Sequence, residues 1–529
     1  MTEQNEDRAG RRAFLRDALA VTGGLLLAPG CTPEDIRALA PNAPQETAVT
    51  PDPVGLPDNL DPAFFWLHKR HPLGLESKRS SMGAGVITPV SRFFVRNNLP
   101  MPPRTVVETP DAWSLAVEGV AQPMTLTLPA LRQLGLDTVT AVLQCSGNGR
   151  KFFAHGPSGS QWATGAAGCA VWTGVRVSTV VEHLGGVVDG ARFMTSTGGD
   201  PLPDGVDPQE VMVERSVPIE KGLRDCLLAW EMNGEPIPLS HGGPLRMIVP
   251  GYYGCNQVKY VRRLRFEANE SEAKIQRTGY RIRPIGQKGD PSQPSMWRMN
   301  VKSWVNGPGA DQTPVLAGRV VFHGVAFSGE RAIEKVDVTL DDGKTWSPAT
   351  LASPDLGVHA WRGFQYAVEL PVGTHRIASR ATDVAGDVQP AHRVENHRGY
   401  GHNGWRDMTL SVSVVATLPR PAPSTPASGA SGSTLGSRAR PAEKPLSPAA
   451  ERGKQIFLKT QPSCVTCHSL EDAGARARVG PSLDRMMPSV GRVKRAVTHG
   501  VGAMPGYGRT LTEAEISDLA AYVAEATRR

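Results

Sequence analysis

The run Cys464-Val465-Thr466-Cys467-His468 constrains this chain more than any other feature of its sequence. Two cysteines spaced by two residues and followed at once by a histidine form the attachment site of a c-type haem. The thiols of Cys464 and Cys467 make thioether bonds to the haem vinyl groups, and the His468 ring lies against the iron as proximal ligand. A structural zinc site would need a second Cys or His pair, and the sequence holds no other Cys-x-x-Cys. A thioredoxin-type pair belongs at a strand-to-helix junction of a βαβ unit, whereas this one lies in a short terminal segment. A haem passes one electron at a time. This one stands near the end of a 529-residue chain, so the residues before it must make or consume electrons.

Residues 447–529 have the pattern of a small helical domain. Ser447-Pro448 reads as an N-cap with a first-turn proline, and Ile456 and Phe457 give that helix an apolar side. Thr512 and Glu515 form a capping box, after which Ile516, Leu519, Tyr522 and Val523 recur at helical spacing. Two terminal helices around a haem loop resemble the class I cytochromes c. The resemblance makes Met504, in Gly502-Ala503-Met504-Pro505, the distal iron ligand. Met487, also followed by proline, is its main rival, and His499 a weaker one. A Met/His pair raises the haem potential and suits an electron acceptor.

The chain divides further upstream. Residues 417–446 are dominated by Pro, Ala, Ser and Gly and read as an extended, flexible linker. In residues 298–416, Val320, Phe322, Gly324 and Ala326 alternate, as do Val336, Val338 and Leu340. Asp342-Gly343 marks a hairpin turn, so this segment predicts a β-sandwich. Residues 56–266 mix short strands, turns and few long helices, an α+β pattern. At the start, Arg11-Arg12-Ala13-Phe14-Leu15-Arg16 precedes the apolar run from Ala18 to Leu27. Residues 1–40 therefore resemble a twin-arginine export signal, which places the protein in the periplasm, where haem c attachment also belongs. Cys31 is a weaker lipid-anchor candidate. The apolar run is too short to span a bilayer, and no transmembrane segment is expected in the mature protein. The net charge of +7 comes without a dense Lys/Arg block, which argues against a nucleic-acid partner. Cys169, Cys226 and Cys255 show no disulfide spacing and read as buried free thiols.

Three stretches between residues 90 and 260 are polar, glycine-flanked loops following apolar strands. They are Phe93-Phe94-Val95-Arg96-Asn97-Asn98, then Leu143-Gln144-Cys145-Ser146-Gly147-Asn148-Gly149-Arg150, and then His241 through Arg246 on to Lys259. Such loops bring backbone N–H groups close to anions, and a cysteine at a strand end can bind a soft metal as thiolate. Taken singly, each reads as a structural turn, and Cys145 as a small buried hydrophobe. Together they resemble the sulfite oxidase family of molybdenum enzymes. The resemblance implies a multi-domain fold: an α+β molybdopterin-binding domain, an immunoglobulin-like β-sandwich that dimerises, and the all-α cytochrome c domain. It implies molybdenum-molybdopterin beside the covalent haem c. Cys145 would bind molybdenum, and Phe94, Val95, Arg96, Asn97, Asn98, Asp200, His241, Arg246, Gln257, Val258 and Lys259 would hold the pterin and its phosphate. The implied substrate pocket consists of Arg96, Arg150, Trp162, Tyr280 and Arg398. Asn98 replaces a histidine common in the family, and Gly149 stands where many relatives carry a second arginine.

The implied activity is oxidation of sulfite to sulfate, with electrons passing singly to the haem and then to a soluble cytochrome or similar acceptor, in a homodimer. Sulfite is a small dianion, and guanidinium groups recognise such oxyanions with paired donors. The alternatives are a sulfane-sulfur dehydrogenase of thiosulfate oxidation, a sulfoxide-type reductase of the same fold, and an electron carrier with an inactive molybdenum domain.

Overall fold

The computed structural model describes residues 57, 60–70, 72–418, 445–461, 463–466, 468–476, 483–500 and 506–527. The twin-arginine segment, Cys31, most of the proline-rich linker, Cys467, Met504 and the His499 side chain fall outside the described residues. The chain divides into two compact units, one ending at Arg420 and the other beginning at Pro421. Among the described residues no helix is long and apolar enough to cross a membrane.

The first unit opens with a three-stranded antiparallel sheet, Phe65–Lys69, Gly74–Ser77 and Val95–Arg96. Two five-stranded sheets follow. In one, Asp137–Gln144 pairs along its whole length with Ala167–Arg176, which pairs in turn with Leu227–Met232. From Ala167 to Gly174 nearly every residue is buried, because packing covers both faces of the sheet and leaves no polar side to alternate with. In the other sheet, Val261–Glu267 lies parallel to Ser114–Glu118 and antiparallel to Phe193–Gly198. Short helices at Leu128–Leu134, Val177–His183 and Ile219–Asp225 cover the apolar core.

The expected sandwich is present. One sheet contains Lys302–Gly307, Gly318–Phe327 and Arg362–Leu370, and the other contains Ile333–Thr339, Gly373–Asp383 and Leu410–Val415. Val320, Phe322, Ala326, Val336 and Val338 all point into the core between them, as the two-residue period predicts. Asp342 and Gly343 both take positive φ, +57° and +87°, which suits the primed hairpin turn that the Asp-Gly pair signals. The α+β domain and the sandwich do not separate. A shared core joins Val142, Ala167 and Tyr253 to Trp304, Trp361, Tyr400 and Met408.

In the second unit, helices Pro448–Lys459 and Glu513–Ala526 pack against each other through Phe457 and Tyr522, with ring centroids 5.7 Å apart. Ser447 caps the first helix by accepting from Ala450 N. The Thr512–Glu515 capping box is fully formed, so both helix starts lie where the sequence predicts.

Candidate active site

The strand Asp137–Gln144 delivers Cys145 at its C-terminal end, and local hydrogen bonds then close the loop. Cys145 N donates to Ala166 O at 2.9 Å, and Asn148 N donates to Cys145 O at 2.9 Å. The Asn148 side chain donates to Gln144 Oε1 and accepts from Ala166 N. Gly149, at φ +102°, turns the chain into Arg150. A Cβ at Gly149 would lie 2.6 Å from His402 Cβ and Nδ1. His402 therefore fills the space beside Gly149, leaving no room for a side chain there. The neighbouring loop from Trp162 is fixed by buried Glu76, whose Oε1 accepts from Ala163 N and Gly165 N at 2.9 Å each.

Phe94, Arg96, Asn97, Asn98, Cys145, Asp200, His241, Arg246, Gln257, Val258, Lys259 and Tyr280 line one cavity. Three loops far apart in sequence thus converge as the resemblance implies. The Val95 side chain does not line it: alternation along the strand turns Val95 into the small core with Phe65 and Leu75. Several buried polar atoms around the cavity have no hydrogen-bond partner among the described residues: His241 Nε2, Arg246 Nε, Asp200 Oδ2, Gln257 Oε1 and Ser240 Oγ. Buried polar atoms are normally paired, so this set fits a polar, anionic ligand of pterin type with a phosphate. Burial, with the charges of Lys259 and Arg246, holds His241 well below its ordinary pKa and keeps it neutral. Burial brings Arg246 down to about 9 and lowers Lys259 well below the usual lysine value. It also pushes Asp200 up to about 6 against the pull of Lys259. Lys259 Nζ donates to Asn97 Oδ1 at 2.8 Å and to Ser240 O at 2.6 Å. Asn98 Oδ1 accepts from Arg96 Nη2 at 2.6 Å, so Asn98 fixes the guanidinium of a cavity-lining arginine.

Arg150 and Arg398 meet beside this cavity around Tyr400. The Arg150 and Arg398 guanidinium carbons lie 5.3 and 5.7 Å from its ring centroid, and Tyr400 stacks on Tyr280 at 5.3 Å. Arg150 Nε also donates to Arg398 O. Among the described residues, none of Arg96, Arg150 and Arg398 forms an ion pair with a carboxylate, and Arg398 Nε is buried without an acceptor. Burial raises the Tyr280 pKa, so its phenol stays protonated and can donate. Trp162 is fully buried, against His68 at 4.4 Å between centroids, and forms part of the wall behind Cys145 rather than the cavity lining. Three residues at the site were not among the expected site residues: Tyr400, His402 and Cys255. Cys255 is half-buried and lines the cavity with Cys145, unlike Cys169 and Cys226, which are fully buried. Tyr400 follows Arg398-Gly399, and that adjacency is the one clue the sequence offered.

In the second unit, Cys464 begins a single helical turn, and His468 N donates to Cys464 O at 3.0 Å. That turn sets His468 one helical repeat beyond Cys464. Cys464 is buried in a core with Leu470, Leu483, Val493 and Leu519, an apolar wall that fits a haem face. Met487, the rival distal ligand, is exposed at φ +43°.

Residues 100–275 match the oxidoreductase molybdopterin binding domain, residues 293–413 the Mo-co oxidoreductase dimerisation domain, and residues 448–523 the family described as cytochrome C oxidase, cbb3-type, subunit III. The chain is 31% identical to the mitochondrial sulfite oxidase of Homo sapiens over 402 residues, covering 72% of this chain and 70% of that protein. It is 31% identical to the mitochondrial sulfite oxidase of Rattus norvegicus over 367 residues, covering 65% of each; the chain thus spans about two thirds of these relatives' length. The structure of the sulfane dehydrogenase SoxCD from Paracoccus pantotrophus has the same fold, with a TM-score of 0.55, 24% identity, and coverage of 75% of this chain and 97% of that one. These matches reach across the fused α+β and sandwich domains and the haem segment beyond them, and they make the chain a molybdenum-dependent oxidoreductase of the sulfite oxidase family with molybdopterin and haem c as its cofactors.

Proposed function

We propose that this protein is a periplasmic sulfite dehydrogenase that oxidises sulfite to sulfate and passes the electrons to its own haem c. The observation that carries the reading is that Arg96 lines the Cys145 cavity while Arg150 and Arg398 flank Tyr400, which stacks on the cavity residue Tyr280, all three without a carboxylate partner among the described residues. Clustered arginines repel one another unless an anion lies between them, and planar guanidinium donors suit a small oxyanion. Sulfite oxidase relatives support the same substrate. When bound through Cys145, the molybdenum-molybdopterin centre supplies oxygen-atom transfer and accepts two electrons. The protein's own residues do the rest. The arginines bind and orient the dianion. Tyr280, protonated because it is buried, donates a hydrogen bond toward the pocket. Trp162, Phe93 and Phe94 keep water from the wall behind Cys145. His468 and Met504 hold the haem that accepts electrons singly, and a soluble cytochrome takes them onward. The sandwich forms the homodimer contact, and the paired arginines Arg11 and Arg12 direct export.

The test is to mix sulfite with the oxidised holoprotein and follow the reduced haem absorbance by stopped flow. Rapid reduction that disappears in Cys145→Ser is expected. Molybdenum-replete protein whose haem stays oxidised would refute the reading and favour a sulfane or sulfoxide substrate. Cell fractionation of an Arg11→Lys/Arg12→Lys variant tests export: its accumulation in the cytoplasm is expected, and an unchanged location would refute it.

A further inference from the structure

A weakly compensated, fully buried charge near the site belongs to Lys302, a residue of the sandwich. Its side chain leaves the strand Lys302–Gly307 and reaches the underside of the Cys145 loop, where Nζ lies 3.3 Å from Asn148 O. It is 1% exposed. Among the described residues that carbonyl is its sole acceptor, and no carboxylate pairs with it. The Trp304 ring lies 5.7 Å away. The titratable groups around it are His402 and, behind that ring, Asp407 and Arg393. None is a counter-ion, because Asp407 is bound to both His402 Nε2 and Arg393. Burial alone draws the Lys302 pKa down to about 7.

A buried ammonium without a partner is costly, and a methionine of similar length would fill the space without that cost. A compensating negative charge is therefore expected on the far side of the contact. Asn148, the acceptor, donates its own N–H to Cys145 O. Beyond it lies the cavity that takes a group bearing thiolate and phosphate charges. We propose that Lys302 is a positioning residue for the molybdenum centre, its ammonium on the Asn148 carbonyl clamping the Cys145 loop to the sandwich and offsetting the negative charge of the centre. The inference rests on the reading of Cys145 as the molybdenum ligand. A fixed positive charge beneath the loop favours the more negative, reduced state and so raises the reduction potential of the metal.

The test is a dye-mediated redox titration of the full-length holoprotein without sulfite, read at the molybdenum signal, for wild type, Lys302→Met and Lys302→Arg. Lys302→Met should shift the molybdenum midpoint downward while leaving the haem midpoint in place, and Lys302→Arg should restore it. A metal-replete Lys302→Met with the wild-type molybdenum midpoint overturns the proposal. If Lys302→Met does not fold, wild-type protein decides. A buried lysine with a depressed pKa adds stability as pH rises from about 7 toward its unfolded value. Metal-free protein should show that rise and holoprotein a smaller one; identical pH–stability profiles for the two forms overturn the proposal. Because no step uses sulfite, a shifted midpoint in a protein that sulfite cannot reduce would sink the sulfite reading and leave this one standing.

Discussion

Gly149→Ala tests the link between the Cys145 loop and the sandwich most directly. The new methyl group meets two obstacles. The backbone is at φ +102°, where an L-residue with a Cβ is strained by roughly 1–2 kcal/mol. The methyl would also sit 2.6 Å from His402 Cβ and Nδ1, well inside van der Waals contact. His402 cannot rotate away freely, because Nε2 is held by Asp407 Oδ2 at 2.9 Å and its ring packs on Phe152 at 5.1 Å. Overpacking of this kind costs about 1–3 kcal/mol, for a combined destabilisation of about 2–5 kcal/mol. In a unit of this size that corresponds to a fall in Tm on the order of 3–7 °C, read by calorimetry on the purified full chain. Relief comes most cheaply by moving the loop, and Arg150 moves with it. Small misplacements of a binding group reach about 100-fold in rate, so kcat/KM for sulfite should fall by about 10- to 100-fold. A Gly149→Ala protein with wild-type Tm and kcat/KM would refute the claim that His402 occupies this space and that the loop is rigidly held.

Three further predictions separate binding, folding and protonation. Gly147→Ala places a Cβ 2.5 Å from Arg150 Cζ; without positive φ to strain, it should raise the sulfite KM about tenfold with little change in Tm, as steady-state kinetics beside a melting curve would show. Glu76→Ala strands the part-buried Ala163 and buried Gly165 N–H groups, and at up to about 1–3 kcal/mol for each orphaned donor its denaturant midpoint should fall below that of wild type. His402 is depressed from 6.5 to about 4, chiefly by burial. The unfolded chain thus binds more protons than the folded one between those values, and stability falls as pH drops through that window. The loss is up to about 3 kcal/mol, so urea midpoints at pH 7 and pH 4.5 should differ more in wild type than in His402→Gln.

Groups close together in sequence were the most legible. The haem motif, the Thr512–Glu515 box, the Ser447 cap and the alternating strands of the sandwich depend on contacts a few residues apart, so their spacing alone signals them. The cavity set was legible through motif resemblance, and the structure brings Cys145, His241, Arg246 and Lys259 together accordingly. Val95 was included in the run of contact residues and faces the small core instead, because such a run on a strand hides the alternation of its faces. Cys255 read as a buried free thiol and proves to be a partly buried one that shares the cavity, a placement beside a turn that has no sequence signature.

By itself the sequence determined the haem c segment and its separation from the residues before it, because these depend on residue chemistry at short spacing, while the ligand candidate Cys145 came only through the resemblance of three separated stretches taken together. Only the tertiary structure decided how the Cys145 loop is held. Lys302, Arg398, Tyr400 and His402 come from the sandwich, more than 150 residues downstream, and no local pattern links them to that loop. The shared core around Tyr253, Trp304 and Trp361 fuses the two domains. That packing, rather than any motif, sets the positions of Arg150 and Arg398 and of the buried ammonium beneath the loop.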